Sequence, residues 1–362
     1  MSNALTGLKQ ALAVKKAATW GTAVACVALD GVQFLTGQAK HDAPVETDNS
    51  RGTAFAVDGT PGAITAGGSY DLNLRYAGAD VLIAMLMGIA GAPTIQAATT
   101  AYKNIYKWSP DVYGKMVTIA KRIIDNTGAG YIEEIPTAKI SGITISGEVG
   151  AKPLTLKLEV IGTEREFGST INTVATFGSV TTPAEAMVNP VMFSHLAFRL
   201  NDATGADFVG GDAIYPSKFT LSIKRKVKGE YTGQYRNILG TNTQDMIDEP
   251  TNDGFPDIQL TLEFPTHSGT TWLSALGNDT RKKCDITATS LNLAGVGYAY
   301  KHLWQFPHLQ LLNVNPTDGN GRITEPLTFQ VLGSVTAPTG MTGITDPLWW
   351  TVINKRTTDP LV

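Results

Sequence analysis

Two stretches of this chain, far apart, carry the same local order: an alternating strand running directly into a short helix. Gly68-Ser69-Tyr70-Asp71-Leu72-Asn73-Leu74-Arg75-Tyr76 leads into Ala79-Asp80-Val81-Leu82-Ile83-Ala84-Met85-Leu86-Met87-Gly88. Asp257-Ile258-Gln259-Leu260-Thr261-Leu262-Glu263-Phe264 leads into Ser268-Gly269-Thr270-Thr271-Trp272-Leu273-Ser274-Ala275-Leu276-Gly277. In the first helix Val81, Met85 and Ile89 share a stripe with Leu82 and Leu86 beside it, and Gly88 is placed to end it. Strand-like runs follow each unit: 103–108, 115–124, 130–134 with 138–147, and 154–162 after the first; 284–289, 298–304, 308–312 and 323–332 after the second. Ile135-Pro136 before strand 139–146 corresponds to Phe306-Pro307 before strand 308–313, and 154–162 corresponds to 326–333. The order implies a mainly β fold duplicated in tandem. Its expected divisions are an N-terminal arm 1–20, a first unit 21–165, a Thr-, Ser- and Gly-rich linker 166–189, a second unit 190–335 and a C-terminal arm 336–362.

The rest of the chain supplies turns and further strands. The arm reads as briefly helical at 8–14, strand character starts at 23–29 and 32–35, and 54–57 and 191–200 are further strand signals. In 217–226, Phe219, Leu221 and Ile223 alternate with polar neighbours, one buried face and one wet face. Two polar loops, 36–52 and the longer 229–254, occupy corresponding places in the two halves. The tail from 336 is turn-rich apart from Trp349-Trp350.

Composition narrows the function. Of 362 residues, 43% are hydrophobic and 17% charged, which fits a folded chain whose surface is largely covered by neighbours. A net charge of −3 argues against gripping nucleic acid through its phosphates, though not against letting it slide past. Cys26 and Cys284 lie in apolar settings and read as buried free thiols. Lys9, Lys15 and Lys16 are scattered through the first twenty residues, so no signal peptide is expected there. The longest apolar stretch, 81–92, is about half of a membrane span, and a protein that is cytoplasmic where it is made, without membrane attachment, is expected.

Catalytic patterns are missing. His41, His195, His267, His302 and His308 form no metal-ligand spacing, and Pro307 breaks any face shared by the last two. There is no nucleophile elbow, and Gly128-Ala129-Gly130 and Gly295-Val296-Gly297 read as turns rather than dinucleotide loops. Glu133-Glu134 and Asp245 with Asp248-Glu249 lack calcium-loop spacing and read as solvated loop charge. The acceptor-like Asn278-Asp279-Thr280 would matter only in secretion. No catalytic residue, cofactor or metal is therefore expected. The basic run Lys224-Arg225-Lys226-Val227-Lys228 is open to two readings, a solvated strand end or an intersubunit contact with acidic residues such as those at 245–249.

Several segments resemble the tail tube proteins of long-tailed, siphovirus-type bacteriophages. Lys15-Lys16-Ala17-Ala18-Thr19-Trp20-Gly21-Thr22-Ala23 resembles the family's opening, with lysines where acidic residues are common. Residues 68–88 resemble its strand and short helix, 140–162 its strand pair with a glycine turn, and 193–226 with 240–264 its strand–long loop–strand hairpin. The resemblance implies a β-sandwich with a flanking short helix. Sheets of neighbouring subunits would join into a barrel channel, and rings would stack through a long loop and the terminal arms. Ring closure would remove the exposed strand edges that such a sandwich otherwise carries.

The implied function is a non-enzymatic virion subunit that self-assembles and conducts viral DNA into the host. Its implied partners are further copies of itself, tape measure protein and double-stranded DNA in the lumen, and tail terminator and distal tail proteins at the ends. A real duplication calls for rings of three chains with pseudo-sixfold symmetry, and otherwise for six. Candidate contact residues between subunits or rings are His41, Asp42, Glu46, Asp48, Arg51, Lys224, Arg225, Lys226, Lys228, Tyr231, Tyr235, Arg236, Asp245, Asp248 and Glu249. A lumen for DNA should be neutral or acidic so that the polymer is not trapped. The competing reading is a β-sandwich module of a virion that binds cell surfaces or carbohydrate, with Trp349-Trp350 as its aromatic platform. A hydrolase on a β scaffold has no supporting constellation.

Overall fold

The computed structural model describes residues 10–42, 45–47, 59–61, 65–125, 127–185, 190–230, 247–267, 269–319 and 321–362. Only strands of six residues or more are numbered below. The first half holds β1 (Ala11–Ala17), β2 (Thr36–Asp42), β3 (Thr65–Asn73), α1 (Asp80–Met87), β4 (Tyr102–Trp108), β5 (Met116–Ile124), β6 (Gly130–Glu148) and β7 (Thr155–Gly162). The second holds β8 (Leu196–Asp202), β9 (Lys218–Lys224), β10 (Asp257–Phe264), α2 (Thr271–Gly277), β11 (Lys282–Gly295), β12 (Tyr298–Val314), β13 (Arg322–Leu332) and β14 (Trp349–Asn354).

Alternation builds the central sheet. In β9, Phe219, Leu221 and Ile223 are buried while Lys218 and Lys224 are exposed. In β10, Ile258, Leu260 and Leu262 are buried between half-exposed polar residues. Antiparallel pairing links eight strands in the order β2–β3–β7–β6–β9–β10–β13–β12. A second set, β1–β5 with the start of β6 and β8–β11 with the start of β12, lays its apolar side against the first. Leu12, Ile119, Ile143, Phe198, Leu221, Ile286 and Phe329 all belong to one core cluster, so the result is a sandwich with a continuous interior.

The long strands β6 and β12 serve both layers. β6 pairs with β5 up to Ala138 and with β7 from there on; the ladder to β5 slips at Pro136-Thr137. β12 pairs with β11 up to Leu309, with a slip at Pro307-His308. Proline cannot donate to a ladder, so a bulge and a change of partner fall where it stands.

Five antiparallel pairings occur twice in the same order along the chain. β1–β5, β2–β3, β3–β7, β5–β6 and β6–β7 are matched by β8–β11, β9–β10, β10–β13, β11–β12 and β12–β13. α1 follows β3 as α2 follows β10. The ladder between β6 and β7 slips between Ile140 and Gly142, and that between β12 and β13 between Leu311 and Asn313. β4 and β14 have no such counterparts; they pair with each other, and β14 also pairs with β12. The halves are thus stitched twice, through β6–β9 and through β4–β14–β12.

Several segments differ from the sequence expectation. Residues 11–17, within the segment expected as an arm, form β1 rather than a helical turn, because both faces of the segment are covered and tertiary pairing overrides helix propensity. Residues 23–29 form no strand; Val24 N–H and Cys26 N–H donate instead to Thr118 Oγ1 and Asn172 Oδ1. The start of the expected loop 36–52 is a strand whose side chains are exposed except for Ala39 and the half-buried Gly37 and His41. The tail contributes β14, whose Trp350 and Val352 are buried. Within 166–189, Glu166–Phe167 pairs with β6 and Phe177 is buried in a satellite core. The expected strand at 54–57 lies outside the described residues. Gly88 ends α1 at φ 86, the left-handed conformation that glycine adopts without a Cβ clash.

Candidate assembly surface

The outer face of the eight-stranded sheet is polar along most of its register, with Ile161, Pro326 and Leu332 as its apolar members. Asp71 lies opposite Lys157, Glu148 opposite Lys218, Lys218 opposite Glu263, and Lys224 opposite Asp257. Between them stand Ser69, Thr144, Thr220, Ser222, Gln259, Thr261, Thr328 and Gln330. Four lysines (Lys40, Lys157, Lys218, Lys224) and six carboxylates (Asp42, Asp71, Glu148, Glu159, Asp257, Glu263) leave this face with a net charge of 4 − 6 = −2. Opposite charges directly across a ladder hold each other in place and flatten the potential.

The sheet ends in two edges that carry no neighbouring strand among the described residues, although on the first Ala39 N–H donates to Glu133 and Gly37 O accepts from Lys121 within the chain. Among the described residues β2 pairs only with β3, and residues 310–314 of β12 pair only with β13. Unpaired N–H and C=O groups on a strand edge are a template for another strand. Lys40, His41 and Asp42 dress the first edge with polar groups.

Of the residues expected at contacts, His41 and Asp42 close β2 and so lie on that edge. Glu46 sits in the short strand Val45–Thr47, paired with Gly59–Pro61. Lys224 ends β9 on the polar face, Lys226 and Asp248 are exposed, and Lys228 pairs with Glu230 at 2.7 Å in solvent. Asp48, Arg51, Tyr231, Tyr235, Arg236 and Asp245 lie outside the described residues.

Two of the candidates, Arg225 and Glu249, have partners inside the chain. Arg225 is buried, and its guanidinium donates to Leu86 O and Met87 O at the end of α1 and to Ser109 O at 2.9 Å. It also lies 3.8 Å from the centre of the Trp108 ring. The carbonyl end of a helix attracts a cation, and burial still pushes this guanidinium down to about 10. Glu249 pairs at 2.7 Å with Lys139, whose side chain is 2% exposed and whose pKa burial lowers. It also accepts from Gly114 N–H, tying the end of the 229–254 loop to the first half.

A buried polar network at the second stitch escaped sequence reading. His302 Nδ1 accepts from Trp350 Nε1–H at 3.0 Å, and its Nε2–H donates to Arg75 O at 3.0 Å. Asp80 accepts from Tyr106 and Asn354 nearby, joining β4, β14 and α1. Trp350 is therefore inside, and Trp349 is half-buried under Lys107 at 4.0 Å, so the pair offers no open aromatic platform. Both thiols are buried, and burial pushes Cys26 up to about 12.

Among the described residues no three His, Cys, Asp or Glu side chains are grouped to hold a metal ion. What the surface presents is a two-faced β sheet with open edges and a solvated, charge-compensated face. Those are the features of a structural β protein made to be paired. The family model described as phage tail tube protein matches residues 7–331, and the chain belongs to that family. No curated protein matches it. Family membership places the chain in the tail of a virion, as a structural part of the tube.

Proposed function

We propose that the chain is a non-enzymatic subunit carrying two tube units in tandem, and that three chains close a ring of pseudo-sixfold symmetry. The observation that carries this reading is the recurrence of five pairings, with a bulge at the same step of β6 and β12. Three eight-stranded sheets joined edge to edge make a closed sheet of 24 strands, with no edge left open. The negative polar face would line the channel, where mild repulsion keeps double-stranded DNA and the tape measure protein moving. Rings stack through the segments 43–52 and 229–254 and the residues ahead of β1, in a siphovirus-type tail capped by terminator and distal tail proteins.

Native mass spectrometry of the assembled protein, alongside negative-stain microscopy, tests this. Rings of three chains that stack into tubes are expected. Rings of six chains would overturn the tandem reading, and a chain that stays monomeric under every assembly condition would overturn the tube reading. Removal of 231–246, which spares Glu249 and its pairing with the buried Lys139, should leave folded chains that form no tubes.

A further inference from the structure

We infer that the end of β12 pairs antiparallel with β2 of the next copy in one defined register, with Asn313 opposite Asp42 of the partner subunit. The inference rests on the tube reading and deepens it, because it takes the stitch between β6 and β9 as the template for the joint between copies.

The equivalence of positions follows from the ladders. Gly68 faces both Val160 and Ala39, and Leu260 faces both Phe329 and Leu221, so Ala39 in β2 stands where Leu221 stands in β9. Three residues on, Asp42 is the counterpart of Lys224. Gly142 follows the slip in β6 as Asn313 follows the slip in β12. Within the chain Gly142 lies opposite Lys224 and Ile143 opposite Ile223. Transferred to the open edges, Asn313 meets Asp42 of the partner subunit and Val314 meets His41 of the partner subunit.

Hydrogen-bond direction agrees with this register. Arg225 N–H donates to Ser141 O and Val149 N–H to Ser217 O, which makes Ile143–Ile223 a bonded pair and Gly142–Lys224 a non-bonded one. On the open edge, Asn315 N–H turns inward to Pro326 O, so the N–H of Val314 points outward to the position the partner would occupy. Pro316 falls where Ile145 would make the next bonded pair, and it has no N–H to give. The ladder between copies is therefore shorter than the one inside the chain, which runs on to Glu148. A short ladder suits a joint that must form only once subunits are brought together.

Cysteine cross-linking reads the register. Asp42 and Asn313 are both exposed, and the two native thiols are buried. In the chain carrying Asp42→Cys and Asn313→Cys, the paired Cα atoms would lie about 4.5 Å apart, within disulfide reach. Oxidation of its assemblies is expected to give covalent species of two and three chains on a non-reducing gel. A chain carrying Lys40→Cys and Asn313→Cys is two residues out of register, about 7 Å further along the strand, and should give no more covalent product than wild type. Rings on the grid with cross-linking by the second pair, or by neither, would overturn the register while leaving the tube reading intact. A wild-type chain that forms no rings at all would remove both.

Discussion

Trp350 donates its indole N–H to Nδ1 of His302 at 3.0 Å, and this bond fixes which ring nitrogen carries the proton. The other nitrogen must then be the N–H that reaches Arg75 O. His302 is fully buried among Tyr76, Trp304 and Trp350, and burial pushes its pKa down to about 4, opposed by the Arg75 carbonyl and by Asp80. The ordinary histidine value is about 6.5. The native state therefore favours the neutral ring, and its contribution is fully present above about pH 6.5. It is lost as pH falls toward 4, by an amount on the order of 3 kcal/mol. Urea unfolding of wild type and His302→Gln across this window checks it. Gln can accept from Trp350 and donate to Arg75 without titrating, so the stability gap should shift in favour of the variant as pH falls. A gap that stays constant from pH 7 to 4 would refute the assignment.

The basic run should respond unevenly to substitution. Arg225→Met leaves the carbonyls of Leu86 and Ser109 buried without this donor, while Met87 O keeps Ser109 N–H, at a cost of about 3 kcal/mol. Arg225→Lys keeps the charge but loses the planar fork, and should fall between Met and wild type. Lys226→Ala, one residue on, alters an exposed side chain and should stay within about 0.5 kcal/mol. Thermal melting of the three variants decides, and equal losses at 225 and 226 would contradict the described burial.

What sequence could and could not show follows from where each signal resides. β9 and β10 were legible because every second side chain meets the core, so their alternation is local. β2 was not, since an edge strand with a wet face reads like a loop, and only Ala39 is fully buried. β14 lies between β4 and β12 with Trp350, Thr351 and Val352 all buried, so it has no alternation to find. The role of Arg225 is set by helix carbonyls far away in sequence, and that of His302 by Trp350 and Arg75. Which charges meet on the polar face was not legible, because strand register decides it.

Truncation distinguishes a structural tail from a stacking arm. Removing 336–362 strips β14 from between β4 and β12 and exposes two central strand edges together with the Trp304 ring that packs on Trp350 at 5.4 Å between centroids. Such edges pair with other chains, so the truncated chain should aggregate on expression rather than persist as folded, unstacked subunits. Size-exclusion chromatography and circular dichroism of the soluble fraction give the answer. A well-folded, soluble truncated chain that forms single rings would return the segment to a stacking role.

Charge reversal on the polar face tests whether that face meets DNA. Replacing Glu148, Glu159 and Glu263 by lysine turns two net negative charges into four positive ones per chain, since each change is worth two. The three side chains point away from the core, so the fold and the ring should survive the like charges that then face Lys218, at a cost of about 1 kcal/mol for each such pair. A channel so altered would hold phosphate, and the grip should weaken steeply as salt releases it. Wild-type tubes should therefore ignore labelled double-stranded DNA at low salt, whereas the variant tubes retain it and lose it again at about 0.2 M salt. Retained DNA should also be protected from nuclease, which separates binding inside a channel from binding on an outer surface. Variant tubes that form normally and still ignore DNA would place this face away from the lumen.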